Sequence, residues 1–183
     1  HEKWFLCPRR VGSWAFGRSQ PVGAFQYSVR LSRMNILLSN DDGWRADGLR
    51  ALESALQGLG RLRLVAPDRN RSAASNSLTI DTPIRVVEQD GHRYAVNGTP
   101  TDCVIMGARH VMPELPQLVL SGVNRGRNAA EDVLYSGTVA AAKEAALLGI
   151  PSFALSQAFT SSSKHAPHWK TATQHGPDII RKI

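Results

Sequence analysis

The chain has few of the features that would take it out of the class of ordinary globular proteins. Its 183 residues include only two cysteines, Cys7 and Cys103. A disulfide framework is therefore not expected, and the cytosol is the compartment that this composition favours. No stretch approaches the roughly 20 apolar residues of a membrane-spanning helix, so no membrane association is expected. The apolar fraction of 42% is ordinary for a folded domain.

Acidic residues are scarce in the first 33 residues, where Glu2 alone opposes six Lys and Arg side chains. This segment holds five of the seven net positive charges, so the rest of the chain is nearly balanced and no basic face for nucleic acid is expected. Residues 1–33 also lack the continuous apolar segment of a secretory signal. We expect them to be a poorly ordered leader, with Met34 as the natural start of one domain over residues 34–183.

From Met34 onward, short apolar runs alternate with helical patterns, which is typical of βαβ units around a mostly parallel sheet. Asp47 and Thr101 are predicted to cap the first two helices, and Cys103 is predicted to pack as a small apolar residue. Strands are predicted over residues 34–39, 61–66, 84–88, 94–96, 118–121 and 150–155, and helices over 48–57, 101–110, 136–148 and 168–183.

Two adjacent carboxylates, Asp41 and Asp42, come directly after the first predicted strand. In open α/β sheets, ligands bind beyond the carboxyl ends of the strands. Side-by-side carboxylates repel each other, and a divalent cation relieves that repulsion most simply. The sequence Asn-Asp-Asp-Gly is also good turn chemistry, so these residues alone leave a plain strand-to-helix turn equally open.

Three polar loops follow apolar strands, and a parallel sheet would open all three on one edge. The carboxylates of Asp41 and Asp42, the Ser72 hydroxyl and the Asn124 amide oxygen could then converge. These are hard oxygen donors, suited to Mg²⁺, Mn²⁺ or Ca²⁺. None of the six histidines lies in these loops, so neither a zinc site nor a catalytic histidine is expected.

Ser136-Gly137-Thr138 opens the Ala-rich helix and offers a second functional element. A helix N-terminus binds anions through its unpaired N–H groups and dipole. An ordinary Ser N-cap explains Ser136 as well, and beside a metal site the phosphate interpretation becomes the better one. The Gly- and Asn-rich loop over residues 121–128 is either a solvated connection or, given its density of special residues, a functional one.

Five motifs taken together resemble the SurE (survival protein E) family of metal-dependent nucleotidases. They occur in the family's order and cover residues 34–155: Asn40-Asp41-Asp42-Gly43, Val65-Ala66-Pro67-Asp68 with Arg71-Ser72-Ala73, Gly98-Thr99-Pro100-Thr101-Asp102-Cys103, Ser121-Gly122-Val123-Asn124-Arg125-Gly126 and Tyr135-Ser136-Gly137-Thr138-Val139. The resemblance implies an α/β fold, a Rossmann-like three-layer sandwich with a mostly parallel sheet. It also implies a homodimer or tetramer that exchanges a C-terminal extension between subunits.

The activity implied by the resemblance is hydrolysis of nucleoside 5′- and 3′-monophosphates with one divalent metal ion, Mg²⁺ or Mn²⁺. Residue by residue, the implied metal ligands are Asp41, Asp42, Ser72 and Asn124, and the implied phosphate-binding residues are Asn128, Ser136 and Thr138. We expect Asp41 to be catalytic and to activate the attacking water, with a covalent aspartyl-phosphate on Asp41 as the competing chemistry.

Arg127 and Ala130 depart from the family pattern, in which Gly is typical at position 130. If that position requires a positive φ, Ala would cost about 1 kcal/mol or more. The chain also ends short of the usual family length, so we expect a C-terminally truncated member. Such a protein could bind nucleotide or metal without turnover. A phosphatase of the haloacid dehalogenase type is a further alternative, although that class uses Asp-x-Asp and here the two acids are adjacent.

Overall fold

The computed structural model describes residues 2–5, 34–163 and 168–182. The strands within these ranges are, in chain order, β1 (Glu2–Phe5), β2 (Asn35–Ser39), β3 (Arg61–Pro67), β4 (Ile84–Glu88), β5 (Arg93–Val96), β6 (Leu118–Arg125) and β7 (Ser152–Gln157). They form one sheet in the spatial order β1-β4-β5-β3-β2-β6-β7. The run from β5 to β7 is parallel throughout, while β4 and β1 are antiparallel additions. The leader predicted over residues 1–33 lies outside the described residues apart from β1.

Helices cover both faces of the sheet, which gives the three-layer α/β arrangement that was predicted. They are α1 (Asp47–Ala55), α2 (Pro100–Met106), α3 (Asp132–Tyr135), α4 (Gly137–Leu147) and α5 (Lys170–Ile180), with a π-helical turn at Gly107–Val111 and a 3₁₀ turn at Ser161–Ser163. One apolar cluster joins the sheet to α2 and α4, and a second joins its other face to α1 and α5. In no described helix is there a segment long and apolar enough to cross a membrane.

The central strands are apolar on both sides because each face is covered by a helix layer. Leu37 of β2 contributes to the cluster under α2 and α4, whereas Ile36 and Leu38 contribute to the cluster under α1. Cys103 is fully buried in the first of these clusters, as predicted.

Two predicted helix caps are wrong. Asp47 lies inside the first turn of α1, whose N-cap is Ala46 without a side-chain hydrogen bond. Helix α2 is capped by Thr99, whose hydroxyl accepts from the Asp102 N–H, while the Asp102 carboxylate accepts from the Thr99 N–H. Pro100 fixes this start, because proline lacks the N–H group that the first helical position leaves unpaired. Thr101 is therefore a helical residue.

The strands that carry the loops of interest end at the same edge of the sheet. Strand β2 pairs in parallel with β6, where Ser39 lies opposite Ser121, and on its other side with β3. Strand β6 continues to Arg125, four residues past its predicted end, through a bulge between Ser121 and Asn124. Gly122 makes this bulge possible, since it has φ of 130° and a Cβ there would clash with the Leu155 carbonyl.

Candidate metal and phosphate site

Asp41 lies just past the end of β2 and is almost completely buried, at 5% exposure. Its Oδ1 accepts a hydrogen bond of 2.5 Å from the Thr138 hydroxyl in the first turn of α4. Its backbone carbonyl accepts from the Arg71 N–H at 2.7 Å. The residue thus connects three segments that are far apart in the sequence.

Asp42 is partly buried beside Asp41, and its environment disfavours the ionised form. Burial and the negative charge of Asp41 raise the pKa of Asp42 above its usual value, although the backbone N–H and positive charge of Arg125 partly oppose the shift. Its Oδ1 also accepts from the Asn70 amide at 3.3 Å. Asp42 is therefore in contact with the loop after β3 and with the end of β6.

Asn40 holds the turn that presents the two carboxylates. Its side chain is fully buried, donates to the Gly43 carbonyl at 3.0 Å and accepts from the Gly43 N–H at 3.1 Å. Gly43 has φ of 105°, and a Cβ on it would lie 3.2 Å from the Arg69 carbonyl carbon. The turn interpretation of this sequence and the site interpretation are therefore compatible, because the turn orients the acids.

Ser72 lies in the exposed loop after β3, and Asn70 attaches this loop to the site. The Asn70 oxygen accepts from the Ser72 N–H at 2.8 Å while its amide nitrogen contacts Asp42. Ser75 then donates to the Leu134 carbonyl at 3.0 Å, so this loop also reaches α3. Asn70 was not among the predicted site residues. The available signal was its position two residues before Ser72, in a polar loop predicted to converge on the cation site.

Asn124 and Asn128 follow the bulge in β6 and have different surroundings. The Asn124 amide nitrogen donates to the Gly126 carbonyl at 2.9 Å, which leaves its oxygen as the available ligand atom. Asn124 precedes Arg125, whose backbone N–H bonds Asp42. The Asn128 amide donates instead to the Ser156 hydroxyl at 2.8 Å, at the end of β7. The hydrogen bond of Asn128 is therefore with β7 and not with the other predicted site residues.

Ser136 is the N-cap of α4, and its hydroxyl accepts from the Val139 N–H at 3.2 Å. Because the first N–H groups of a helix have no intrahelical acceptor, those of Gly137 and Thr138 remain available to an anion. Gly137 packs directly against Asp41: a Cβ added to it would lie 2.7 Å from the Asp41 Cβ. The helix start and the carboxylates therefore belong to one site.

The donor set at this edge fits a hard divalent cation. Among the residues that the structure describes, no three His, Cys, Asp or Glu side chains form a metal-binding group. What is present is a pair of adjacent, poorly solvated carboxylates, with hydroxyl and amide oxygens on neighbouring loops. Oxygen-only sets with one or two carboxylates are typical of Mg²⁺ sites, where water and substrate oxygens complete the shell.

The known proteins that resemble this chain come from one family. The model of the Survival protein SurE family matches residues 36–183. The chain is 54% identical over 151 residues to a 5′-nucleotidase SurE of Rhodopseudomonas palustris (strain BisB5), covering 81% of this chain and 59% of that protein. A 5′-nucleotidase SurE of Bradyrhizobium sp. (strain BTAi1 / ATCC BAA-1182) is 52% identical over 152 residues, with 82% and 60% covered.

Among solved structures, the SurE protein from Aquifex aeolicus is similar, with a TM-score of 0.75 and 43% identity over 81% of this chain and 59% of that one. The chain thus spans about 59% of the length of the relatives it matches. The family match covers β2 from Ile36 onward and the later strands, together with the loops and the helix start described above. The chain belongs to the survival protein SurE family.

Proposed function

We propose that the chain is a phosphomonoesterase that hydrolyses nucleoside 5′- and 3′-monophosphates with one bound Mg²⁺ or Mn²⁺. The observation that carries the proposal is the Asp41–Asp42 pair, packed against the first turn of α4 at the carboxyl edge of the sheet. Two relatives similar to this chain bear the name 5′-nucleotidase SurE. A phosphomonoester dianion needs both a cation and hydrogen-bond donors, and this edge offers groups for each.

The proposed cation ligands are the side-chain oxygens of Asp41, Asp42, Ser72 and Asn124. When bound, the cation would neutralise charge on the phosphate and act as a Lewis acid. The available N–H groups of Gly137 and Thr138 at the start of α4, together with the side chains of Ser136 and Asn128, would hold the phosphate oxygens. Asn128 would have to exchange its contact with Ser156 for one with substrate.

Asp41 is the proposed general base. In this scheme a water oxygen bonds to phosphorus and one of its protons passes to the Asp41 carboxylate. The phosphorus–oxygen bond to the nucleoside breaks, its electron pair stays on the nucleoside oxygen, and that oxygen takes a proton from solvent. Asp41 Oδ1 already accepts from Thr138, so Oδ2 is the atom expected to take the proton. In the competing scheme Oδ2 itself attacks phosphorus and displaces the nucleoside oxygen, which takes a proton from solvent. Water then hydrolyses the aspartyl-phosphate and restores the Asp41 carboxylate.

The experiment is phosphate release from nucleoside monophosphates with Mn²⁺ and with Mg²⁺, comparing the chain with Asp41→Asn. We expect the variant to lose about 10²–10⁴-fold in kcat, the range for removal of a general base. Asp178→Asn, on the exposed face of α5, is a matched control that should keep normal activity. Near-normal turnover by Asp41→Asn would rule out the proposed role, and trapping of a phosphoenzyme would replace the water scheme. Tight nucleotide binding without turnover by the unmodified chain would favour a binding protein.

The cellular compartment and the oligomeric state of the chain are separate from its chemistry. We propose the cytosol as the compartment, based on the cysteine content. The family implies a homodimer or tetramer, an assembly that depends on the C-terminal extension exchanged between subunits. Fractionation and sedimentation of the purified chain would test these two points separately from catalysis.

A further inference from the structure

The side chain of Thr138 is placed where it serves Asp41 rather than an incoming ligand. Thr138 has no solvent-exposed surface, and Asp41 is 5% exposed. The 2.5 Å separation between Thr138 Oγ1 and Asp41 Oδ1 is in the range of hydrogen bonds from a hydroxyl to an ionised carboxylate. The two residues are 97 positions apart in the chain, so this contact depends on the tertiary fold.

The number of protons on each group decides which oxygen donates in this hydrogen bond. A threonine hydroxyl carries one proton, and an ionised carboxylate can only accept. The proton of Thr138 is therefore committed to Asp41, and while that bond lasts the hydroxyl cannot also donate to a phosphate oxygen. The backbone N–H of Thr138 is separate and stays available at the start of α4.

Gly137 fixes the same carboxylate from a second direction. A Cβ on Gly137 would lie 2.7 Å from the Asp41 Cβ and 3.0 Å from its Oδ2, so the helix backbone packs directly against the side chain. One oxygen of Asp41 is thus held by a hydroxyl and the side chain is confined by the helix. The rotation of the carboxylate is restricted, which is what a ligand of fixed geometry requires.

We propose that Thr138 is a positioning residue: its hydroxyl holds Asp41 Oδ1 so that Oδ2 is directed toward the cation and the reacting phosphate. The proposal rests on the proposed function, because it takes Asp41 as a cation ligand. It replaces a direct side-chain contact between Thr138 and phosphate by an indirect role.

The test compares Thr138→Val, which keeps the shape but removes the hydroxyl, with Thr138→Ser, which keeps the hydroxyl. The first measurement is Mn²⁺ affinity without nucleotide, read from the free Mn²⁺ signal in electron paramagnetic resonance. We expect Thr138→Val to weaken Mn²⁺ binding about 10–100-fold, as losses of groups that orient a metal ligand do. Thr138→Ser should stay within about threefold of the unmodified chain, because the orienting hydrogen bond persists.

Steady-state kinetics supply the second measurement. At saturating Mn²⁺, we expect Thr138→Val to lower kcat while leaving KM for the nucleotide nearly unchanged. If Thr138→Val raised KM or the dissociation constant of inorganic phosphate and left Mn²⁺ affinity intact, the hydroxyl would be a phosphate ligand and the proposal would be overturned. Unchanged Mn²⁺ affinity and kcat would overturn it equally.

A double variant distinguishes the positioning role of Thr138 from the proposed phosphatase activity. In an Asp41→Asn background, adding Thr138→Val should change Mn²⁺ affinity by less than about twofold, since the carboxylate it positions is already gone. A full additional loss would show that Thr138 acts independently of Asp41. Mn²⁺ binding without any turnover would contradict the proposed activity but still test the positioning role. If Thr138→Val does not fold, Thr138→Ala read against Thr138→Ser gives the same comparison.

Discussion

Replacing Ala130 by Gly should stabilise the protein, although glycine on a protein surface usually does the opposite. Ala130 has φ of 52°, in the left-handed region. This conformation costs a residue with a Cβ about 1–2 kcal/mol, whereas glycine adopts it freely. Glycine in turn adds about 0.4–1 kcal/mol of entropy to the unfolded chain. The difference predicts a gain of about 0.5–1 kcal/mol, or a rise in Tm of about 1–4 °C for a chain of this size.

Ala129 provides a matched control beside it. Both alanines are exposed, and both carbonyls accept from the turn that starts α3: Ala129 from Asp132 at 3.2 Å and Ala130 from Val133 at 3.3 Å. The φ of Ala129 is not in the left-handed region, so Ala129→Gly should lose about 0.4–1 kcal/mol. Differential scanning calorimetry of the two variants compares the same substitution with opposite expected signs. Equal losses at both positions would refute the argument from backbone strain.

Two further predictions concern the buried Glu53 and the partly buried Asp42. Glu53 is 4% exposed, and its carboxylate accepts a hydrogen bond of 2.8 Å from Arg93 Nη2. Glu53→Ala should therefore lower the free energy of unfolding in urea by about 2–3 kcal/mol, less than for a fully buried pair because Arg93 is partly exposed. The control Asp178→Ala removes an exposed carboxylate and should cost under about 0.5 kcal/mol. Equal effects would contradict this. Because the pKa of Asp42 is raised, the carboxyl group of Asp42 stays protonated to a higher pH in the folded, metal-free chain than in the unfolded chain. The stability that this group contributes therefore falls as the pH rises above 3.8. Asp42→Asn should therefore raise the Tm of the metal-free chain at neutral pH and leave it unchanged below pH 3.8. A lower Tm of the variant at neutral pH would contradict the raised pKa.

The positions of the strands after β1 were predictable because buried strands are short apolar runs bounded by turn residues. Strand β2 ends at Ser39, as its sequence indicates, and the loop with both acids follows directly. Strand β6 was harder, because Gly122 and Asn124 look like loop residues. The bulge keeps them in the sheet, and no local preference signals this.

The sequence does carry a signal for the cap of α2. Threonine occurs on both sides of Pro100, and the pattern Thr99-x-x-Asp102 is a capping box with Pro at the first helical position. For Glu53 the sequence signal is weaker. It occupies the core stripe of α1 four residues after Leu49, and an acid at such a position requires a buried partner.

The partners within the site could not be predicted from the sequence. The motifs indicated which residues are special, but the contact between Thr138 and Asp41 spans 97 positions and depends on how α4 packs on the sheet. For the same reason the sequence could not distinguish a hydroxyl that faces phosphate from one that faces a carboxylate. Asn70, which joins Asp42 to the N–H of Ser72, follows from loop geometry alone.

The most direct measurement is the anomalous difference density of a crystal of this chain grown with Mn²⁺ and inorganic phosphate. We expect one manganese peak within about 2.0–2.3 Å of an oxygen of Asp41 and of Asp42, with phosphate at the start of α4. A fully occupied manganese away from both carboxylates, or crystals without manganese at this edge at millimolar Mn²⁺, would contradict the site.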